Sequence, residues 1–502
     1  MGFTNVKNGA TILIDSGRGT FGEQAVVQPF PTAQGDFVSG INSQIFVTAS
    51  LGGTATVTHA GGIVTASCGT TASGSASVGL RRNVKYRPGQ LTECRFTALF
   101  DVGVENTTQR AGVGNSQSGY YVGYQGEQFG FFHEYGGRRR IQKFTVNSAG
   151  NANETVTMTL NGETTSFVMN PGNSTTSAAD IIASQSYDSL VPGWEGEAQG
   201  SSVYLIAERS MTAGGTYSFS TTGTTSVTVT NEQSGSYPTV DFTPQASWNI
   251  DPLNGNGPSR MTIDPQKGNV YTITYQYLGF GNAVLNVENP ETGVPAPVHM
   301  VQNANSRSIT VLDDPNGRGR WVATNLGSAT SVSVKGASIA TFTDGVVRPE
   351  IGVKNSKLVT KSHAGNDGEV LVVAYRSDRF AFGKASNGEV NFLAISAGTE
   401  VTTPVLVRIR RNPRFNAPAT WTKFEAESSI ISYTTAGSIA LSNGGNILTT
   451  IVVPGGGSIQ ASLKEYDINM NTGDVYAVTA QSLKSSSSAA DTHVSLNWSE
   501  FQ

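Results

Sequence analysis

Charge is scarce in this chain of 502 residues: only 14% are Asp, Glu, Lys or Arg, against about 25% in ordinary soluble proteins. The net charge of −4 supplies no general attraction to nucleic acid or to an anionic membrane. Long hydrophobic runs are also missing. Stretches such as Val370-Leu371-Val372-Val373-Ala374 stop far short of the roughly 20 residues that cross a bilayer as a helix, so a soluble chain is expected. Cysteine is nearly absent, with Cys68 and Cys94 alone. Two cysteines make no disulfide framework and no pair-of-pairs metal site; two buried thiols in strands, made in a reducing cell, are the expectation. The start, Met1-Gly2-Phe3-Thr4-Asn5-Val6-Lys7, shows neither a signal-peptide pattern nor a complete myristoylation motif.

What is abundant is glycine, at 58 residues, together with Ser, Thr, Val, Tyr and Phe, a mixture that favours strands and tight turns over helices. Period-two alternation recurs, as in Ala55–His59 and Gly62–Ser67, with a hairpin turn expected at Ala60-Gly61-Gly62. The segment Glu154–Thr164 reads as a strand entering an Asn161-Gly162 turn, the strongest short hairpin signal. The best helix candidate is Ser174–Ser184, with a Ser or Thr N-cap and an apolar side at Ile181 and Ile182. The fold class expected is mainly β, with several sandwich or jelly-roll domains and a small α+β insertion.

Changes of texture divide the chain into four parts. Residues 1–80 form an N-terminal β region and candidate anchoring segment. Residues 81–142 and 236–348 share an aromatic style and read as one discontinuous sandwich, interrupted by an α+β module at 143–235. Residues 349–502 form a C-terminal β-sandwich. Insertion at a surface loop tip is the tolerated arrangement.

Motifs with chemistry attached do not assemble. Gly17–Gly22 matches GxGxxG, but Val26–Pro31 follows with two prolines where a helix is required. There is no GxSxG elbow, and His59, His133, His299, His363 and His493 lie scattered. His133 stands beside Glu134, yet strand alternation sends neighbours to opposite faces. Asp101 and Glu105 have the i, i+4 spacing of a glycanase carboxylate pair, but Val102-Gly103-Val104 leads into the Asn106-Thr107-Thr108 turn. Asp313–Gly317 and Asn366–Glu369 hold acids without the order of a calcium loop and read as turns. The sequons at Asn106, Asn153, Asn173 and Asn497 are expected by chance in a Thr-rich chain. No catalytic residue, metal ligand or cofactor is assigned.

Two kinds of residue stand out. Arginines cluster at Arg138, Arg139 and Arg140 and again at Arg408, Arg410 and Arg411, with Arg414 nearby; arginine is the usual choice for desolvated ion pairs at interfaces, which makes these candidates for subunit docking. Among the aromatics, Tyr124 and Trp248 are the candidate glycan platform.

The phrases RRNVKYRPGQ from Arg81, AGVGNSQSGYYVGYQGEQFGFF from Ala111, RIRRNPRF from Arg408 and VSLNWSEF from Val494 resemble large β-rich structural proteins of tailed bacteriophages and large DNA viruses. The resemblance covers most of the chain, and no known chemistry is attached to those phrases. It implies a jelly-roll unit like those of the laminin-G and legume-lectin class, and a non-enzymatic fibre, spike or decoration subunit of the capsid or tail. It also implies location in the virion after synthesis in the host cytoplasm. The partners expected are further copies of the chain, a trimer being favoured, other virion proteins, and as an alternative a host-surface glycan; neither nucleic acid nor membrane insertion is expected. Host adhesin and polysaccharide depolymerase are the two other readings.

Overall fold

The computed structural model describes residues 3–7, 10–14, 29–84, 86, 89–344, 352–364, 367–400, 402–439, 444–466, 468–483 and 489–501. The GxGxxG segment at 17–22, and Asn366, lie outside them. The chain is nearly all β: several sandwiches, the first of them discontinuous, with one small α+β insertion.

The first sandwich sets a seven-stranded sheet against a nine-stranded one. The seven-stranded sheet runs Thr239–Pro244, Gln128–Tyr135, Gly119–Gln125, Thr107–Gly114, Arg318–Asn325, Ser75–Leu80, Phe46–Leu51. At the centre of the other sheet lies Thr92–Phe100, beside Asn269–Tyr275. Alternation builds the core. Cys94, Phe96, Ala98 and Phe100 point inward and are buried while Arg95 is exposed; Phe96 stacks on Tyr271 at 5.6 Å, and each such side chain contributes about 1.5–3 kcal/mol by leaving water. Both thiols are free and buried; burial pushes that of Cys94 up. Strands between Phe46 and Leu80, set apart in the sequence as an N-terminal region, pair inside these two sheets. The expected Gly61-Gly62 turn joins two of them, with φ of 58° and 77°, a left-handed geometry that glycine adopts without strain.

Glu134 pairs with Val240 across neighbouring antiparallel strands, so the chain leaves this sheet edge after Tyr135 and returns to it at Thr239. Between them, Trp194–Gln199, Ser202–Ser210, Arg139–Ser148 and Ser226–Gln233 form a four-stranded sheet, and Glu163–Met169, Glu154–Leu160 and Ser218–Thr221 a three-stranded one. The Asn161-Gly162 turn has φ of 56° and 87°, the mirror-image turn whose twist matches its strands. The helix is Thr175–Ala183, capped by Ser174, whose side chain accepts from the Ser177 N–H at 3.1 Å. Ile182 is buried in a core with Phe144, Val156, Met158, Trp194 and Leu205.

The C-terminal sandwich faces a five-stranded sheet, including Val353–Ala364, Ala489–Phe501 and Glu389–Thr399, with a six-stranded one centred on Glu369–Ser377, Val475–Ser482 and Val405–Arg411. Trp498, Tyr375, Phe392 and Tyr476 are packed in its core.

Candidate functional site at the junction of three β units

The outer face of the seven-stranded sheet carries Arg318, Arg320, Arg110, Tyr121, Phe132 and Glu134, by the same register that sends Trp321, Tyr120, Phe131 and His133 into the core. Glycine dominates between them. A Cβ on Gly114 would sit 2.3 Å from the Tyr121 Oη and one on Gly119 2.7 Å away, so bare backbone is what lets that ring lie down. Arg110 pairs with Glu134 and lies over the Tyr121 ring. His133, on the core side, donates from Nε2 to the Val311 carbonyl at 2.6 Å and stacks on Tyr120; burial lowers its pKa. The neighbours His133 and Glu134 thus serve separate faces.

The inserted unit meets the first sandwich where Arg209 donates to the Ser73 carbonyl at 3.1 Å. It meets the C-terminal sandwich along Trp194–Gln199. Arg376 is buried there: its Nε donates to Asp378 at 3.2 Å, its Nη2 to the Ala198 carbonyl at 3.1 Å, and Glu197 lies 3.9 Å away. Asp378, fully buried, also accepts from Lys423 Nζ at 2.5 Å and Ser432 Oγ at 2.8 Å. Glu197 accepts from the Arg379 N–H, and burial followed by repulsion from Asp378 raises its pKa. Beside this pair, Glu195 sits between Arg379 at 3.2 Å and Arg139 at 3.7 Å; burial acts to raise its pKa, but the two guanidiniums hold it below the usual carboxylate range. Glu208, desolvated and near Glu195, is raised to about 7. Gln199 donates to the Phe380 carbonyl at 2.8 Å, Tyr204 stacks on Phe380 with centroids 3.9 Å apart, and Thr420 donates to Asp180 at 2.8 Å.

The first and last sandwiches also touch directly. Asn387 donates to Asp314 at 2.5 Å, and Arg81 reaches Asp474 at 3.7 Å, where Arg411 also arrives at 3.3 Å. These contacts connect each of the three units to the other two.

The residues singled out in the sequence distribute unevenly over this geometry. Two docking candidates enter the unit-to-unit network, Arg139 through Glu195 and Arg379 and Arg411 through Asp474. Arg138 is exposed beside a single bridge to Ser236. Arg140 covers the Tyr217 ring at 4.9 Å and donates to Gln142. Arg408 and Arg410 close on Glu369 inside the C-terminal sandwich, Arg410 with both Nε and Nη2. Five of these six arginines are therefore engaged within the chain. Tyr124 and Trp248 require a correction as a glycan platform: they are 8% and 4% exposed and belong to the aromatic core around Phe100 and Phe129, so neither ring offers a face to a sugar. Strand alternation turns Tyr124 inward, and the 3-10 turn Gln245–Ser247 that ends at Trp248 lays its ring against Phe129.

Asp101 is tied to Lys335 at 3.2 Å and to the Ser333 N–H at 2.8 Å, while Glu105 is exposed on its turn. Asp313 accepts from the Gly136 N–H, Asp314 caps Asn316, and Asp367 accepts from the Ala364 N–H; all three serve backbone turns or links. Among the described residues no cluster of three His, Cys, Asp or Glu side chains is placed to hold a metal. The residues that the sequence reading missed are Arg376, Asp378, Glu195 and Glu197. A signal existed, because Glu195 and Glu197 alternate within the short strand Trp194–Gln199 while Arg376 and Asp378 close the apolar run Val370–Ala374.

No protein-family model matches the chain, and no curated protein does. Among solved structures, arcelin-5, a lectin-like defence protein from Phaseolus vulgaris, is 9% identical with a TM-score of 0.22, covering 62% of this chain and 97% of its own. A β-1,3-1,4-glucanase derived from a mouse hindgut metagenome is 10% identical with a TM-score of 0.23, covering 61% and 97%. A triple-jelly-roll protein of an archaeal virus turret assembly is 8% identical with a TM-score of 0.15, covering 94% and 97%. Scores this low carry no argument, and the fold class rests on the strands and their pairing.

Proposed function

We propose that this chain is a structural, non-enzymatic virion protein, a fibre, spike or decoration subunit on the surface of a capsid or tail. The observation that carries the reading is the use of buried charge to lock β units together. Arg376, with Asp378 and Glu197, ties the inserted unit to the last sandwich, and Arg139 and Arg379 share Glu195 beside it. Desolvated ion pairs of this kind are costly to break and fix one arrangement of the parts. A block of sandwiches so fastened suits a load-bearing element of a particle, in keeping with the viral wording of the sequence.

Copies of the chain are the first partners proposed, assembled with closed symmetry as a trimer. The C-terminal sandwich offers an edge for such contact: among the described residues Val353–Ala364 pairs on one side only, and it leaves Val353 and Leu358 51% and 65% exposed. Lys354, Lys357 and Lys361 on the same strand are the charges that guard edges against indiscriminate pairing. Immunogold labelling of particles purified from cultures that carry the gene tests the reading. Gold at a regular position on the capsid or tail is expected, and label confined to free protein would overturn it.

A further inference from the structure

A cleft of about 400 Å³ opens between the first and the last sandwich. Three arginines, Arg81, Arg82 and Arg411, line it, and none of the described residues lining it is acidic. Arg81 and Arg411 share the carboxylate of Asp474, at 3.7 Å and 3.3 Å. Two guanidiniums on one carboxylate leave this pair with a local excess of positive charge in a chain whose net charge is −4. It continues inward: Arg318 donates to Asn83 at 3.1 Å and has no carboxylate within ion-pair distance among the described residues. Burial and then the neighbouring Arg320 push Arg318 down to about 10, and burial lowers Arg81 against the pull of Asp474.

The remaining lining is polar and aromatic. Asn471 is 6% exposed, yet neither its Oδ1 nor its Nδ2 has a hydrogen-bond partner. A carboxamide in that state is costly unless something completes it. Arg411 likewise keeps an unpaired Nε. Tyr466, 60% exposed, stands at the rim with the exposed Gln34 and Gln44. Guanidiniums for a carboxylate, an amide pair for hydroxyls and a ring face for an apolar flank are the groups that recognise an acidic sugar.

We propose that this cleft binds a carboxylate-bearing sugar residue, with the carboxylate taken by Arg81 and Arg411 and a hydroxyl by Asn471. The site is independent of Tyr124 and Trp248, and of the virion assignment, which survives if the cleft binds nothing.

Calorimetric titration of the full chain with glucuronate, glucose and inorganic sulfate tests it. Glucuronate is expected to bind with a Kd of about 1 mM or tighter, glucose not at all, and sulfate at least about tenfold more weakly, because a bare anion leaves Asn471 unsatisfied. Gln34→Glu combined with Gln44→Glu places two negative charges at the exposed rim and should weaken glucuronate by about tenfold or more while leaving the melting temperature unchanged. Arg411→Gln should abolish binding; the rim variant keeps the test decisive if that protein fails to fold. Absence of glucuronate binding, sulfate binding as tight as glucuronate, or indifference to the rim charges would each overturn the assignment.

Discussion

Replacing Arg376 by Met removes the cation at the contact between the inserted unit and the last sandwich and keeps most of the side-chain volume. Two carboxylates then remain, Asp378 fully buried and Glu197 1% exposed. Truncating one partner of a buried pair costs about 3–5 kcal/mol. Here the lower end applies, because Asp378 keeps Lys423 and Ser432 and Glu197 keeps the Arg379 N–H and the Gln199 amide. The loss is therefore about 3 kcal/mol near neutral pH. Its pH dependence follows from Glu197, whose pKa is already raised by burial and by Asp378 and which Arg376 holds down. With the arginine gone the folded-state pKa rises further above the unfolded one. The folded state then binds the extra proton between those two values, so the variant regains stability as pH falls through that window. A chain of several units does not unfold in one step, so calorimetry should be joined to hydrogen exchange at residues 194–199 and 376–381. Faster exchange at both segments at pH 7.5, largely recovered at pH 5, is expected. Adding Glu197→Gln should restore part of the loss, with a coupling of about 1–3 kcal/mol. Unchanged exchange, or a loss equal at both pH values, would refute the reasoning.

Three further outcomes are expected. Asp180, raised to about 6 by burial, disfavours the folded state above its unfolded pKa, so Asp180→Asn should stabilise the inserted unit by about 1–3 kcal/mol at pH 7 and change nothing below about pH 4, read by melting against pH. Ser174→Ala removes the cap that receives the Ser177 N–H and should cost about 1 kcal/mol, visible as faster exchange in the helix. Trp498→Ala empties a fully buried site and removes one of the donors to Glu500, which keeps Asn355, Ser429 and the Ile430 N–H; a loss of about 3–5 kcal/mol in the C-terminal sandwich is expected by denaturation.

Much of the local structure was legible in the sequence because its causes are local. The Asn161-Gly162 turn follows from two residues that tolerate positive φ, and the helix at Thr175 from the cap at Ser174. The inward row Cys94, Phe96, Ala98, Phe100 follows from period-two alternation. What was hidden depends on partners far along the chain. Nothing near Ser75–Leu80 announces that it pairs with Arg318–Asn325, and so the region before residue 81 was set apart. The arginine clusters were visible, but Glu369, the partner of Arg408 and Arg410, lies some forty positions away in sequence, and only the fold brings them together. Tyr124 and Trp248 look like any exposed aromatic until strand pairing turns the first, and a 3-10 turn the second, toward Phe129. The junction residues Glu195, Glu197, Arg376 and Asp378 were readable as charges at i and i+2 spacing, yet not as each other's partners.

The central claim is that this chain is a built component of a virus particle. Quantitative mass spectrometry of gradient-purified particles, from cultures that carry the gene, measures it directly. The account predicts that the protein bands with the particles at a fixed ratio to the major capsid protein, in a copy number divisible by three; its absence from particles, or a ratio that drifts between preparations, would contradict it.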